Sequence, residues 1–205
     1  MDFELEAGQT VALLGANGSG KTTFALHLNG ILRGTSGSIS VDGLAMTDGN
    51  LREIRRRVGL VFQDSDNQLF MPTALEDVAF GPLASGVSQA EASGKAYAAL
   101  EKTGMAHKAG KAPWHLSAGE KKRVAIAGIL AGEPRLLVLD EPTTFLDPPG
   151  QRGLAELLES LPQAKILITH DVAFAQRLTE QGVFFREGRI AARDAITAIV
   201  REFGW

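Results

Sequence analysis

Apolar residues in this chain gather into short unbroken runs, separated by stretches with helical spacing. Thr10-Val11-Ala12-Leu13-Leu14, Val58-Gly59-Leu60-Val61-Phe62, Leu136-Leu137-Val138-Leu139 and Lys165-Ile166-Leu167-Ile168-Thr169 are such runs. A strand with one wet face would alternate apolar and polar residues. These runs therefore predict strands covered on both faces, as in a parallel sheet flanked by helices. The first run leads through a glycine-rich turn into a predicted helix over about Lys21 to Leu32. Ser38-Ile39-Ser40-Val41 before Asp42-Gly43 predicts the first arm of a hairpin. From about Thr73 to Lys111 the chain is rich in Ala, Glu and Lys, and several helices with no strand between them are expected. A long helix over about Ala118 to Ala131 should feed the Leu136 strand. Val183-Phe184-Phe185 and Arg189-Ile190-Ala191 predict a late hairpin across Glu187-Gly188, with a short helix from Asp194 to Phe203. The expected organisation is one α/β domain over residues 1–205. Its core covers 1–63 and 133–205, with a helical subdomain over about 64–132 and a small antiparallel β portion.

Composition narrows the chemistry. A 205-residue chain has ample length to bury a core. The formal net charge of -3 argues against nucleic-acid binding through bulk positive charge, and no nucleic-acid partner is expected. The absence of cysteine excludes disulfides, thiolate metal sites and cysteine nucleophiles, and it suits a reducing compartment. No apolar run approaches the roughly 20 residues that span a bilayer. The acidic start Met1-Asp2-Phe3-Glu4 does not look like a signal peptide.

Two segments carry chemistry on their own terms. Gly15-Ala16-Asn17-Gly18-Ser19-Gly20-Lys21-Thr22 fits G-x-x-x-x-G-K-[ST] between a predicted strand and a predicted helix. Its glycines let backbone N–H groups converge on phosphate oxygens at a helix N-terminus. Lys21 would reach the β- and γ-phosphates, the Thr22 hydroxyl would ligate Mg²⁺, and Thr23 is counted with the binding segment. The second segment is Asp140-Glu141, at the C-terminal end of an apolar strand, where open α/β sheets bind ligands. Asp140 would hold Mg²⁺, directly or through water. Glu141 would polarise the attacking water as general base. A lone carboxylate pair at a strand end is more often loop solvation, but beside a phosphate-binding loop it becomes a metal and catalytic site. ATP and Mg²⁺ are the expected ligands, on a P-loop NTPase fold with a RecA-like parallel core and helices on both faces.

Leu116-Ser117-Ala118-Gly119-Glu120-Lys121-Lys122-Arg123 narrows the family. It resembles the signature of ABC ATPases, usually L-S-G-G-Q, at the start of a helix. Three further elements match in order: Gln63 resembles the Q-loop glutamine, Phe145-Leu146-Asp147 the D-loop, and Thr169-His170-Asp171 the switch-histidine segment. The resemblance implies catalytic roles for Glu141, His170 and Gln63, and Mg²⁺ ligation by Thr22, Gln63 and Asp140. It implies that Ser117, Ala118, Gly119, Glu120 and Asp147 also serve nucleotide binding, with Ser117 and Gly119 reaching the nucleotide of an opposite subunit. Taken singly, Gln63 would be a surface glutamine and His170 a polar loop residue; the shared order of the elements argues otherwise. His27, His107 and His115 match no motif and are expected to be structural or surface residues. Ala118 and Glu120 depart from the usual signature without excluding hydrolysis. Family members usually carry an adenine-stacking aromatic in strands before the P-loop. Phe3, the one aromatic ahead of the loop here, lies too near it to serve.

Arg56 to Asp64, Asp66-Asn67-Gln68-Leu69-Phe70, Glu76 to Pro82 and Lys121 to Gly128 resemble the energy-coupling-factor group, ATPases of cobalt, nickel and vitamin (including biotin) importers. This implies an ATPase on the cytoplasmic face of the cell membrane. It would work as a homodimer or a heterodimer with a similar ATPase, contacting membrane-embedded subunits through residues 63–80. A groove lined by Leu69, Phe70 and Met71 would suit an amphipathic helix, against the blander possibility that these residues pack the subdomain. The rival function is a soluble ABC ATPase outside transport. Repair members insert long coiled coils, for which there is no room here, and translation factors carry two cassettes in one chain. A nucleotide-gated module without hydrolysis is disfavoured by Glu141 and His170.

Overall fold

The computed structural model describes the whole chain, Met1–Trp205. Its main sheet has six strands in the order β4-β5-β6-β1-β7-β8. These are β1 (Thr10–Leu14), β4 (Val58–Val61), β5 (Leu136–Asp140), β6 (Ala164–Ile168), β7 (Gln181–Arg186) and β8 (Arg189–Ala195). The first five named pair in parallel, and β8 returns antiparallel to β7 across the expected hairpin. The earlier hairpin pairs β2 (Ser40–Val41) with β3 (Leu44–Ala45).

Burial along the strands explains the unbroken apolar runs. All five residues of β6 are buried, and side chains alternate between two covered faces. Val11, Leu13, Val138, Ile166 and Ile168 pack on one side with Ala25 and Leu28 of α1 (Lys21–Leu28). Leu137, Leu139 and Leu167 face the other side, against Leu154 and Leu158 of α6 (Pro148–Ser160). The helices α3 (Ala74–Ala84), α4 (Gln89–Lys102) and α5 (Ala118–Leu130) form the expected helical stretch. They meet through small residues, including Ala74, Ala92, Ala96, Ala99 and Ala127, and share one buried cluster with the sheet.

The structure differs from expectation in the length of α1 and in three added helices. Helix α1 stops at Leu28 instead of running to Leu32. Gly30, at φ +70°, donates its N–H to the His27 carbonyl, and the Ile31 N–H reaches the Leu26 carbonyl. These are the two bonds of a Schellman stop. Helices α2 (Leu51–Arg57), α6 and α7 (Val172–Leu178) are additional to the elements that periodicity predicts. The Pro-Pro-Gly opening of α6 reads as a breaker, yet it suits a helix start when Asp147 caps it. Helix α8 (Ile196–Phe203) closes the chain where expected. Phe203 stacks on Phe184 at 4.1 Å, and Trp205 meets the same ring edge-on.

The phosphate-type loop packs closely against its neighbours. Gly15 has φ +136°, and a Cβ there would lie 2.3 Å from the Phe185 carbonyl oxygen. Gly18 is also at positive φ, yet a Cβ there would meet nothing within 4 Å. Gly15→Ala should therefore cost about 1–3 kcal/mol or more, lowering the melting temperature by roughly 3–10 °C. Gly18→Ala should cost only the backbone penalty at the low end of about 1–3 kcal/mol. Paired thermal melts check the order; equal shifts would contradict the Phe185 contact.

Candidate active site

The loop from Gly15 to Gly20 joins β1 to α1 at the C-terminal end of the sheet. Lys21, at the start of α1, is buried and folds back on the loop. Its Nζ donates to the carbonyls of Gly15 (2.6 Å) and Ala16 (3.0 Å) and lies 3.5 Å from Ser19 Oγ. Burial holds the ammonium below the usual lysine range, while Glu141 and Asp140 pull it back up. An ammonium held by the loop's own oxygens, with acidic groups nearby, suits a triphosphate that would supply stronger acceptors.

Strand β5 delivers the two acids. Thr22 Oγ1 donates to Asp140 Oδ2 at 2.8 Å, joining residues 118 positions apart in sequence. Burial raises the Asp140 carboxyl above its ordinary range, countered chiefly by the Thr22 hydrogen bond. Glu141 is buried at φ +44°, a conformation rarely adopted by residues other than glycine. Its N–H donates to the Ile168 carbonyl, and its Oε2 lies 2.8 Å from His170 Nδ1. His170 is exposed on the loop after β6.

Asn17 to Thr23, Gln63, Asp140, Glu141 and Ile168 together line a cavity of about 180 Å³. Its donors fit a Mg-triphosphate. A hydroxyl and a carboxylate already in contact form a two-ligand oxygen site. Mg²⁺ is ordinarily held by one or two carboxylates plus phosphates and water, not by a protein cage. A larger cavity of about 710 Å³, lined partly by Phe3, Phe24, Val41 and Leu136, lies by the N-terminal ends of β5 and β6. Ligands of open parallel sheets bind at the opposite ends, so the smaller cavity is the candidate site.

The remaining residues singled out from sequence lie outside this cavity. Ser117 caps α5 in a reciprocal capping box: its Oγ accepts from the Glu120 N–H, and Glu120 Oε2 accepts from the Ser117 N–H at 3.0 Å. Glu120 also pairs with Lys108. That pairing, reinforced by the Ser117 N–H, holds the carboxyl below its ordinary range. The glutamate in the signature position thus stabilises the helix start. Ala118 is exposed and Gly119 half-buried, with Leu146 packed near it. Asp147 turns its carboxylate to the Gly150 N–H at the start of α6, so its visible role is a helix cap. His27 bonds to the Thr23 carbonyl within α1.

Three residues carry roles that their sequence context does not signal. The side chain of Gln68 hydrogen-bonds both Leu60 O and Phe62 N, continuing the β4 edge. Asp77, buried on α3, accepts from the N–H groups of Phe70 and Met71, each at 3.0 Å. Burial raises its carboxyl above the ordinary range. Lys122 is buried in α5, and burial lowers its pKa to about 8. Its one available signal is the spacing 122–126–130, which puts it on the core stripe with Ile126 and Leu130.

The family model described as ABC transporter matches residues 1–144. A putative ABC transporter ATP-binding protein of Streptomyces avermitilis is 51% identical over 94% of this chain and 73% of its own length. The energy-coupling factor transporter ATP-binding protein EcfA of Methanosphaera stadtmanae is 48% identical over 93% of this chain and 70% of its own. Among solved structures, cbiO1 of Clostridium perfringens, part of the ABC transporter complex cbiONQ, superposes with TM-score 0.88 at 35% identity. That match covers 99% of this chain and 83% of the other. A dimeric ATP-binding cassette in a post-hydrolysis state with ADP and phosphate gives TM-score 0.83 at 28% identity, over 95% and 88%. With its loop, its acidic strand end and these matches, the chain belongs to the ABC transporter ATP-binding family, whose members hydrolyse ATP with Mg²⁺ to power transport.

Proposed function

We propose that this chain is the ATPase of an energy-coupling importer, carrying a metal ion or vitamin through partner membrane subunits. The observation that carries the catalytic part is the convergence of Lys21, Thr22, Gln63, Asp140 and Glu141 on one cavity. The backbone N–H groups of the loop and Lys21 hold the phosphates. Thr22, Asp140 and Gln63 would hold Mg²⁺, which when bound would neutralise charge on the triphosphate. Glu141 Oε accepts a proton from the attacking water, and His170, beside it, contacts the γ-phosphate. The importer assignment rests on the likeness to the EcfA and cbiO1 proteins.

The nucleotide site is completed by a second ATPase chain, the same or similar. Ser117 is exposed at the N-terminus of the 13-residue helix α5, where N–H groups and the helix dipole favour an anion. It lies outside the lining of its own chain's cavity. A γ-phosphate between two such surfaces joins them, and hydrolysis removes the joint. Glu141→Gln keeps size and hydrogen bonding but weakens the base, so kcat should fall by about 10²–10⁴-fold. The same protein should sediment as a dimer with ATP. Ser117→Arg should stay monomeric while still binding ATP. A Glu141→Gln protein that remains monomeric at saturating ATP and high concentration contradicts the two-chain site.

Partner docking is assigned to the segment after Gln63. Phe70 is 64% exposed and meets Phe80, 45% exposed, edge-on at 5.1 Å. Asp77 orders the backbone beneath them. Leu69, expected in the same groove, packs instead against the α3–α5 core. An amphipathic helix of a membrane subunit would cover the two rings. Phe70→Asp with Phe80→Asp should release the chain from membranes containing its partner subunits without lowering its melting temperature. Retention on those membranes would remove the assignment.

Adenine is expected to contribute little. The Phe3 ring packs edge-on against Phe24 at 5.1 Å, with the Arg193 guanidinium 5.8 Å from its centre. Competition titrations should show less than about a tenfold preference for ATP over GTP, or roughly 1.4 kcal/mol. A larger preference would reveal an adenine contact elsewhere.

A further inference from the structure

Lys122 stands out among the buried charges because it belongs to neither the nucleotide cavity nor the exposed aromatic pair. It is 2% exposed, one turn into α5 beyond the Ser117 cap. Its Nζ donates to two main-chain carbonyls, Phe62 O at 3.1 Å and Gln63 O at 2.7 Å. Asp64 and Asp140 attract it from a distance, but neither forms an ion pair with it. An ammonium buried against neutral carbonyls is expensive, and an apolar residue would satisfy the packing on a stripe it shares with Ile126 and Leu130. Departures of this kind from the cheapest core residue are expected where geometry has to be held for function.

The two carbonyls explain what is held. Gln63 lines the candidate active-site cavity, on the stretch where β4 gives way to the Phe70 segment. On α5, Lys122 is separated from the Ser117–Gly119 turn by less than about 8 Å of helix rise. Next to it, Lys121 Nζ pairs with Asp66 Oδ1 at 2.6 Å, anchoring the same helix to the segment beyond Gln63. The Lys121 pair is partly exposed and contributes little to stability, whereas the Lys122 bonds are shielded from solvent.

We propose that Lys122 is a positioning residue for ATP hydrolysis. It grips the backbone of Gln63 so that this side chain stays at the cavity while the Ser117 turn keeps a fixed place relative to it. The proposal rests on the reading of the cavity as an Mg-ATP site. Lys122 touches no nucleotide, so its removal acts through Gln63.

The whole chain tests this through Lys122→Met, Lys122→Gln, Gln63→Ala and the double variant Lys122→Met/Gln63→Ala. Mg-ATP affinity, KM, kcat and melting temperature are measured for each. Lys122→Met should lower kcat by about 10–100-fold, the range for residues that orient an active-site group from behind. Its KM and Mg-ATP affinity should stay within about threefold of wild type, because the phosphate loop is untouched. Lys122→Gln retains a donor for one carbonyl and should recover part of kcat; it carries the test alone should the methionine variant fail to fold. In the Gln63→Ala background the Lys122→Met change should have almost no further effect, since residues acting as one unit are non-additive. Full multiplication of the two effects, or an unchanged kcat in folded Lys122→Met, overturns the proposal. A wild-type chain that binds no Mg-ATP instead overturns the reading of the cavity on which it rests. The two failures are therefore distinct.

Discussion

Parallel pairing of β6 with both β1 and β5 is the constraint on which the active site depends. Ile168 is the register partner of Leu13 on one side and Asp140 on the other. Three strand ends therefore finish at one level, and the segments that leave them are brought together. After β1 comes the Gly15 loop, after β5 Glu141, and after β6 His170. Strands spaced about 4.8 Å apart leave roughly 10 Å between β1 and β5. The Thr22–Asp140 hydrogen bond closes that gap from the first turn of α1. A slip of one residue in either pairing would turn alternate side chains to the wrong face and carry Asp140 away from Thr22.

Positive-φ backbone gathers where those strands end. Gly15, Glu141 and Phe145 all have positive φ within a few residues of the cavity or the segment after it. At Gly15 the close approach of Phe185 permits no side chain. At Glu141 the strained backbone is held by a ladder bond from its own N–H to Ile168. Such conformations persist only where the surroundings over-determine them, and here the sheet supplies that over-determination. The result is a Glu141 backbone held by the sheet, a preorganisation that would serve the general-base role proposed for its carboxylate.

How much of this is legible in the sequence depends on the range of the interactions. The β1, β4, β5 and β6 runs are readable because burial on both faces leaves an unbroken apolar stretch. The Gly15–Thr22 loop is readable because glycines at positive φ and a following Lys21-Thr22 pair recur at a fixed spacing that has a mechanical reason. Helix α6 is hidden because Pro148, Pro149 and Gly150 have poor intrinsic propensity, and the Asp147 cap that rescues them has to be inferred from the fold. Resemblance assigns Asp147 to nucleotide binding, while its carboxylate is engaged as that cap. Leu69 and Phe70 are adjacent and both apolar, yet only the second is exposed; a local pattern without helical or strand period cannot separate them. Lys122 sits in the run Lys121-Lys122-Arg123, where composition suggests a solvated face, and only its spacing with Ile126 and Leu130 hints at the burial that packing against β4 imposes.

The wiring around Gln63 explains how events at the site and at the outer surface can share one element. The stretch from Gln63 to Phe70 is short, and each end of it is tied down separately. Gln68 bonds its side chain to the end of β4, and Asp77 of α3 accepts from the backbone at Phe70 and Met71. Between them, Lys121 and Lys122 fasten the segment to the start of α5. The segment ending at Phe70 is therefore tied to two helices, to α3 through Asp77 and to α5 through the lysines. In this segment the contacts are hydrogen bonds of 2.6–3.1 Å from end to end. One hydrogen-bonded segment thus joins the Gln63 end, at the cavity, to the exposed aromatic pair, and Lys122 supplies donors to it that an apolar residue packed in the same stripe could not.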